Sequence, residues 1–534
     1  MSQYSELEKK AGRIIVGRLP ADDLPADFAR ELSRGGMGGI TLFRENCTGV
    51  DQLSALIADI YKESHFNPVV TVDQEGGAVQ RFVRATGSIP SAMAFAACPD
   101  RALVRSVMEK ACRQMKLLGI NLLLAPVLDV LTNPLNPIVS TRSYGSMPRM
   151  VERSSREMID IIEASGLIPV GKHFPGHGAT REDSHHTLAV SDVSTDRLLQ
   201  VDLAPFKALV SKLPAILTGH IWVKCVDDEP LPASLSPRIV NGILKDYLGF
   251  SGLVITDDLT MKGLTESSSI EDAAVQAVLA GNHLLLICTG LEPCALARQA
   301  LVKAVQDGEM EEALLDQAIE KLEAVLPERP QISDLAHGDK KIFALLNTLT
   351  KEVGEESHRV GKITASFLKG SASIEEGSSW FVVAPDHSRY GLNLASHLKK
   401  YADARYGDTA PVFEEVRYDM SSEFEENKKL VEGLRGKNCI FLTFRCLINK
   451  SQMQLGQMLA DECAGKIAVC TDTPFDYNGL PDWPCVIATL DPSDRAIEAL
   501  ADALIDGSID QKASAYYSRL QEGVSSINID RVMQ

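Results

Sequence analysis

The sequence predicts an α/β protein, an N-terminal TIM-like (β/α)8 barrel followed by a smaller αβα sandwich. Three observations carry this. Up to about residue 330, eight short β-branched runs alternate with longer amphipathic stretches, the rhythm of repeated βα units. Chemically capable polar residues stand directly after those runs. A proline-bearing segment near residues 326–334 then separates this rhythm from a second, shorter one. Domains are therefore expected at 1–330 and 331–534.

The eight runs are residues 14–16, 39–43, 69–72, 121–125, 168–171, 215–218, 253–256 and 284–288. Asp73, Asp129, Lys172 with His173, His220 and Asp257 follow them, so these side chains gather at one end of the barrel. That is the end at which barrel enzymes react. A doubly wound open sheet would give the same alternation and stands as the alternative. Beyond the linker, a helical lead-in precedes strand candidates at 380–384, 412–416, 440–444, 467–470 and 486–490, with amphipathic stretches at 392–401 and 423–434. No GxGxxG or GxxxxGK[ST] occurs, and no nucleotide is assigned.

Composition narrows the function classes. The chain has 534 residues, 45% of them hydrophobic, enough to fill two or three cores. A net charge of −18 opposes general affinity for nucleic acid or an anionic membrane, because phosphate binding needs a basic face. The N-terminus lacks the apolar core of a signal peptide and no apolar run has membrane-spanning length, so a cytoplasmic location is expected. The 11 cysteines are scattered without a CxxC pair, as reduced packing residues would be.

Four segments carry candidate chemistry. Residues 172–186, KHFPGHGATREDSHH, concentrate histidines in a stretch where proline and glycine prevent a regular helix. There Asp183 and His185 alternate so as to share one side of an extended segment, where the carboxylate can orient the imidazole and stabilise its protonated form. In VDQEGGAVQRF, residues 72–82, a strand runs into Asp73, a pure acceptor suited to vicinal sugar hydroxyls; capping of the next turn is the plainer role. TRSYG, residues 141–145, presents Arg142 after the rigid NPLNP; its fixed fork of donors fits sugar oxygens or a carboxylate, as does that of Arg81, and both equally suit an exposed loop. GLVITDDLTMKG, residues 252–263, ends a strand in paired aspartates, of which period-2 geometry lets one, Asp257, face the barrel axis. Asp258 is then turned aside to the backbone. A metal site of His173, His177, His185, His186 and Asp183 is the rival reading, but Pro175, Gly176 and Gly178 break the helix that would align it and HExxH is absent. No metal and no cofactor are assigned.

Taken together, VDQEGG, NPLNPIVSTRSYG, KHFPGHG, DSH and ITDDLTM occur in one order across the first 260 residues, and in this the chain resembles glycoside hydrolase family 3. The likeness is to the β-N-acetylglucosaminidase branch, which includes the muropeptide-recycling enzymes of bacteria. The resemblance implies a retaining mechanism through a covalent glycosyl-enzyme, with Asp257 as nucleophile, His185 as acid/base and Asp183 as its orienting partner. It also implies that Asp73, Arg81, Arg142, Lys172 and His173 hold a terminal N-acetylglucosamine. Free aspartate and histidine already titrate more than about two pH units apart, so one is ionised while the other holds a proton. The implied partner is a small saccharide ending in N-acetylglucosamine; few aromatic residues, 6%, offer little stacking surface for long polysaccharides. A phosphorylase taking inorganic phosphate as acceptor is the nearest alternative, and a catalytically silent sugar-binding protein a more distant one. Two positions depart from the family pattern: Ala78 stands where arginine is common, and Met147 where aspartate often precedes the proline.

Overall fold

The computed structural model describes residues 4–182, 187–265, 268–331, 339–387, 392–509 and 514–524. The predicted first rhythm forms eight parallel strands: β1 (Ile15–Arg18), β2 (Gly39–Leu42), β3 (Val69–Val72), β4 (Leu122–Leu123), β5 (Ile168–Phe174), β6 (Ala215–Thr218), β7 (Leu253–Thr256) and β8 (Leu285–Ile287). They are joined in the order β7-β6-β5-β4-β3-β2-β1-β8, and a bridge between Ile255 and Leu284 closes β7 onto β8. The cylinder decides between the two α/β alternatives in favour of the barrel.

The runs are continuous and apolar because such strands are covered on both faces. Alternate residues point inward, and Val16, Val69, Leu122, Leu124, Ile168, Val170, Ala215, Leu217, Leu253, Ile255, Leu284 and Leu286 fill the interior as one cluster. Leu322, from the helix Glu312–Val325, joins that cluster. The intervening residues belong to the larger layer between strands and outer helices.

The helices begin and end where their sequences direct. Asp100 accepts from Leu103 N at 2.9 Å to open Arg101–Leu118, and Gly119 closes it in the left-handed region. Ser269 and Gly281 do the same for Ile270–Ala280. Met147 is the N-cap of Pro148–Ala164 and makes no side-chain capping bond, so this departure bears on a helix end.

A second sheet follows: β9 (Ser366–Lys369), β10 (Ser379–Pro385), β11 (Val412–Tyr418), β12 (Asn438–Thr443), β13 (Lys466–Cys470) and β14 (Val486–Ala488), in the order β9-β14-β13-β12-β10-β11. All neighbours are parallel except β9 with β14. Val382, Ile440 and Leu442 face one apolar cluster, and Val383, Cys439 and Phe441 face another, so helices cover both sides. The long helix Lys340–Thr364 lies between the two sheets in sequence. β9 is the strand that the sequence reading omitted.

Both clusters of the second sheet take in residues from the barrel half: Ala78 and Val79 in one, Met93, Ala94, Leu131 and Val139 in the other. Of the 11 cysteines, all but Cys225 are buried, as expected of packing residues. Among the described residues no helix is long and apolar enough to cross a membrane.

Candidate active site

The C-terminal ends of the barrel strands surround a cavity of about 320 Å³. Its lining includes Asp73, Arg81, Arg142, Lys172, His173 and Asp257, so six of the side chains singled out in the sequence meet in one place. Asp183 and His185 lie outside the described residues. Leu124, Leu217 and Leu286, the last layer of the barrel interior, line the cavity as well and floor it.

Asp73 directly follows β3, and the next residues fold into a small antiparallel hairpin, Gln74–Gly76 with Val79–Gln80. Gln74 Oε1 accepts from Arg81 N at 2.7 Å and Phe82 N at 3.1 Å, which closes the hairpin. Gly76 has φ 99°, and a Cβ there would stand 2.1 Å from Pro90 O, so the EGG turn excludes other residues.

The hairpin delivers two carboxylates to a buried cation cluster. Lys172 Nζ reaches Asp73 Oδ1 and Glu75 Oε1, each at 2.6 Å. Arg142 grips Glu75 bidentately, Nε to Oε2 and Nη2 to Oε1, both at 2.8 Å. Burial alone raises the Glu75 and Asp73 carboxyls, yet the facing cations overcome it and hold both below the usual range. The Lys172 ammonium, which burial disfavours, is raised by the same two carboxylates.

On β5, Lys172 and His173, joined by a cis peptide, both line the cavity. His173 Nδ1 lies 2.7 Å from Asp129 Oδ2, and Nε2 lies 3.1 Å from Arg142 Nη2. A guanidinium can only donate, so Nε2 accepts and the ring is the neutral tautomer with its proton on Nδ1. Asp129, fully buried, also accepts from His177 N at 2.7 Å; burial raises its carboxyl, and the contacts with His173 and His177 together outweigh that and lower it. Burial drives the His177 imidazole down to about 4, so it is neutral.

Asp257 follows β7, and its N–H donates to Thr218 O at 2.9 Å, extending the ladder with β6 to the cavity rim. Asp258 turns to the backbone: Oδ1 accepts from Thr260 N and Cys288 N, each at 2.9 Å, and its carbonyl accepts from His220 Nε2 at 2.8 Å. Burial raises its carboxyl.

Several residues of the site, in its lining or just behind it, escaped the sequence reading. Arg18 ends β1, stacks over the Phe43 ring at 4.0 Å and pairs with Glu45; Arg81 lies over the same ring at 5.2 Å. The strand-end rule would have found Arg18. Glu75 sat inside a quoted motif, with nothing to mark it as the partner of Arg142. Arg445 comes from the second sheet's half of the chain, from which the sequence reading drew no site residue. Ala78, the other departure from the family pattern, is also on the cavity wall. Among the described residues, no group of three or more His, Cys, Asp or Glu is placed to hold a metal ion.

A floored pocket at the C-terminal mouth of a barrel, lined by carboxylates set against buried cations, is the kind of place at which barrel enzymes bind small polar molecules. The chain belongs to glycosyl hydrolase family 3: that family's N-terminal domain matches residues 7–325. It is 30% identical over 270 residues to a β-hexosaminidase of Idiomarina loihiensis, covering 50% of this chain and 81% of that one. It is 34% identical over 280 residues to a β-hexosaminidase of Thioalkalivibrio sulfidiphilus, covering 51% and 79%. Among solved structures, the glycoside hydrolase family 3 β-N-acetylglucosaminidase from Paenibacillus sp. str. FPU-7 superposes with a TM-score of 0.82 at 27% identity, over 95% of this chain and 98% of that one.

Proposed function

We propose that this protein is an exo-acting, retaining β-N-acetylglucosaminidase that removes terminal non-reducing N-acetylglucosamine from small β-glycosides. The carrying observation is that Asp257 stands at the rim of the same cavity as the Asp73–Lys172–Glu75–Arg142 cluster. Asp73, Arg81, Arg142, Lys172 and His173 hold the sugar in this reading. The ionic cluster fixes their side chains before substrate arrives, so little ordering is left to binding.

Asp257 attacks the anomeric carbon, and His185, oriented by Asp183, protonates the departing oxygen and then activates water against the glycosyl ester. The β-hexosaminidase relatives and the Paenibacillus β-N-acetylglucosaminidase support the substrate class.

Turnover of an aryl N-acetyl-β-glucosaminide tests the reading, with products resolved in phosphate and phosphate-free buffer. Free N-acetylglucosamine is expected in both, with a loss of about a thousandfold or more in kcat for Asp257→Ala. Accumulation of sugar 1-phosphate would overturn hydrolysis, and full turnover by Asp257→Ala would overturn the nucleophile.

A further inference from the structure

The segment that carries Arg142 is held from the far half of the chain. Asp472, fully buried in the loop after β13, accepts from Ser140 Oγ at 2.9 Å and Arg445 Nε at 2.6 Å through Oδ2, and from Thr141 Oγ1 at 3.0 Å through Oδ1. Arg445 in turn donates through Nη1 to the Pro137 carbonyl. One carboxylate and one guanidinium thus fasten both ends of the stretch from Pro137 to Thr141. Two backbone positions mark how closely the pieces fit: Ser140 has φ 36° and Arg445 φ 53°, values that side chains other than glycine seldom take. Val139, between the fastened residues, is buried in the second sheet's cluster with Leu447 and Phe475. Downstream, Tyr516 Oη donates to Tyr144 O and Ser146 Oγ to Leu520 O, each at 2.7 Å.

Arg142 is the next residue along. Its backbone N–H closes the tight turn onto Val139 O at 2.8 Å, so its placement follows from that of Val139 to Thr141. On the barrel side, Arg142 meets Glu75 and His173 only through its guanidinium, at the end of a long side chain.

We propose that Asp472 is a positioning residue for sugar binding. From the second half of the chain it sets the Pro137–Arg142 turn, and so aims the Arg142 guanidinium into the cavity, without itself touching substrate. This rests on the reading in which Arg142 contacts the sugar. An Asp472 oxygen receives two donors and the other receives one, so its removal leaves Arg445 Nε and two buried hydroxyls to find new partners, and the turn shifts. Displacement by about an ångström suffices to degrade a binding constellation severely.

The test is the steady-state kinetics of full-length Asp472→Ala, Asp472→Asn, Ser140→Ala and Thr141→Val on an aryl N-acetyl-β-glucosaminide, with the melting temperature of each. Asp472→Ala is expected to raise KM about tenfold or more while kcat stays within about threefold, because Asp257 lies on a separate strand. Asn keeps an oxygen for Arg445 and Ser140 and can offer its amide to Thr141 Oγ1, so Asp472→Asn should recover most of the loss. The two barrel-side substitutions should raise KM in the same direction, and they carry the test if Asp472→Ala fails to fold. Unchanged KM in folded Asp472→Ala, or in both barrel-side variants, overturns the proposal, as does a fall confined to kcat. Absence of any turnover by the wild type would instead sink the glycosidase reading, and this inference with it.

Discussion

Asp202 is a buried carboxyl with neither oxygen hydrogen-bonded among the described residues, and burial raises it to about 7. Its unfolded value is near 4. Below both values the proton is present in either state and the group is neutral towards folding. As pH rises from about 4 to 7 the unfolded chain ionises first, so the stability this residue permits at low pH is lost across that window. Asp202→Asn should therefore stabilise the fold by about 4 kcal/mol at pH 8 and by less than about half that at pH 5, measured by urea unfolding. An equal gain at both pH values would contradict the account. Asp73, Glu75 and Asp129 respond with the opposite sign: their carboxyls are depressed, so their contribution is full above about pH 4 and disappears as pH falls through the folded values. None of this could be read from sequence, since LLQVDLAPF says nothing about whether its aspartate finds a donor.

The hairpin after β3 shows how a short element sets a site. Gly76→Ala would force a side chain into the left-handed region against Pro90 O, and the expected outcome is a loss of about 2–3 kcal/mol in unfolding free energy with a raised KM, as Asp73 and Glu75 move. A variant with unchanged melting and KM would refute that placement. The eight barrel strands were legible because parallel strands covered on both faces leave continuous apolar runs. β4 is shorter than expected: the Asn121 side chain accepts from Val70 N at 2.9 Å and donates to Pro68 O at 2.7 Å, so a side chain does ladder work at that end. The Gln74–Gln80 hairpin was not legible, since its pairing is brief and its register shifts between Gln74 and Gly76. β9, only SFLK, begins two residues after the helix Lys340–Thr364 and offers no alternation to separate it from that helix.

For the whole molecule, the contacts between the two sheets' halves decide what each can do alone. Ending the chain at residue 330 would bare Ala78, Val79, Met93, Ala94 and Val139 and leave Ser140 and Thr141 without Asp472. Such a truncation should self-associate on a sizing column at micromolar concentration more than the full chain does. A monodisperse fragment with full-length KM would show the second half to be dispensable. The barrel's share of the site was visible in the sequence, because strand ends and short motifs announce themselves locally. Asp472 was not, since it meets Ser140 from 332 residues away and no local pattern encodes such a pairing. The leucines beneath the cavity have a final consequence. A well with a solid bottom accepts a chain end but cannot be threaded, so under the proposed exo-acting function an oligosaccharide would shorten by one ring at a time, and each inner linkage would wait until every unit outside it had left.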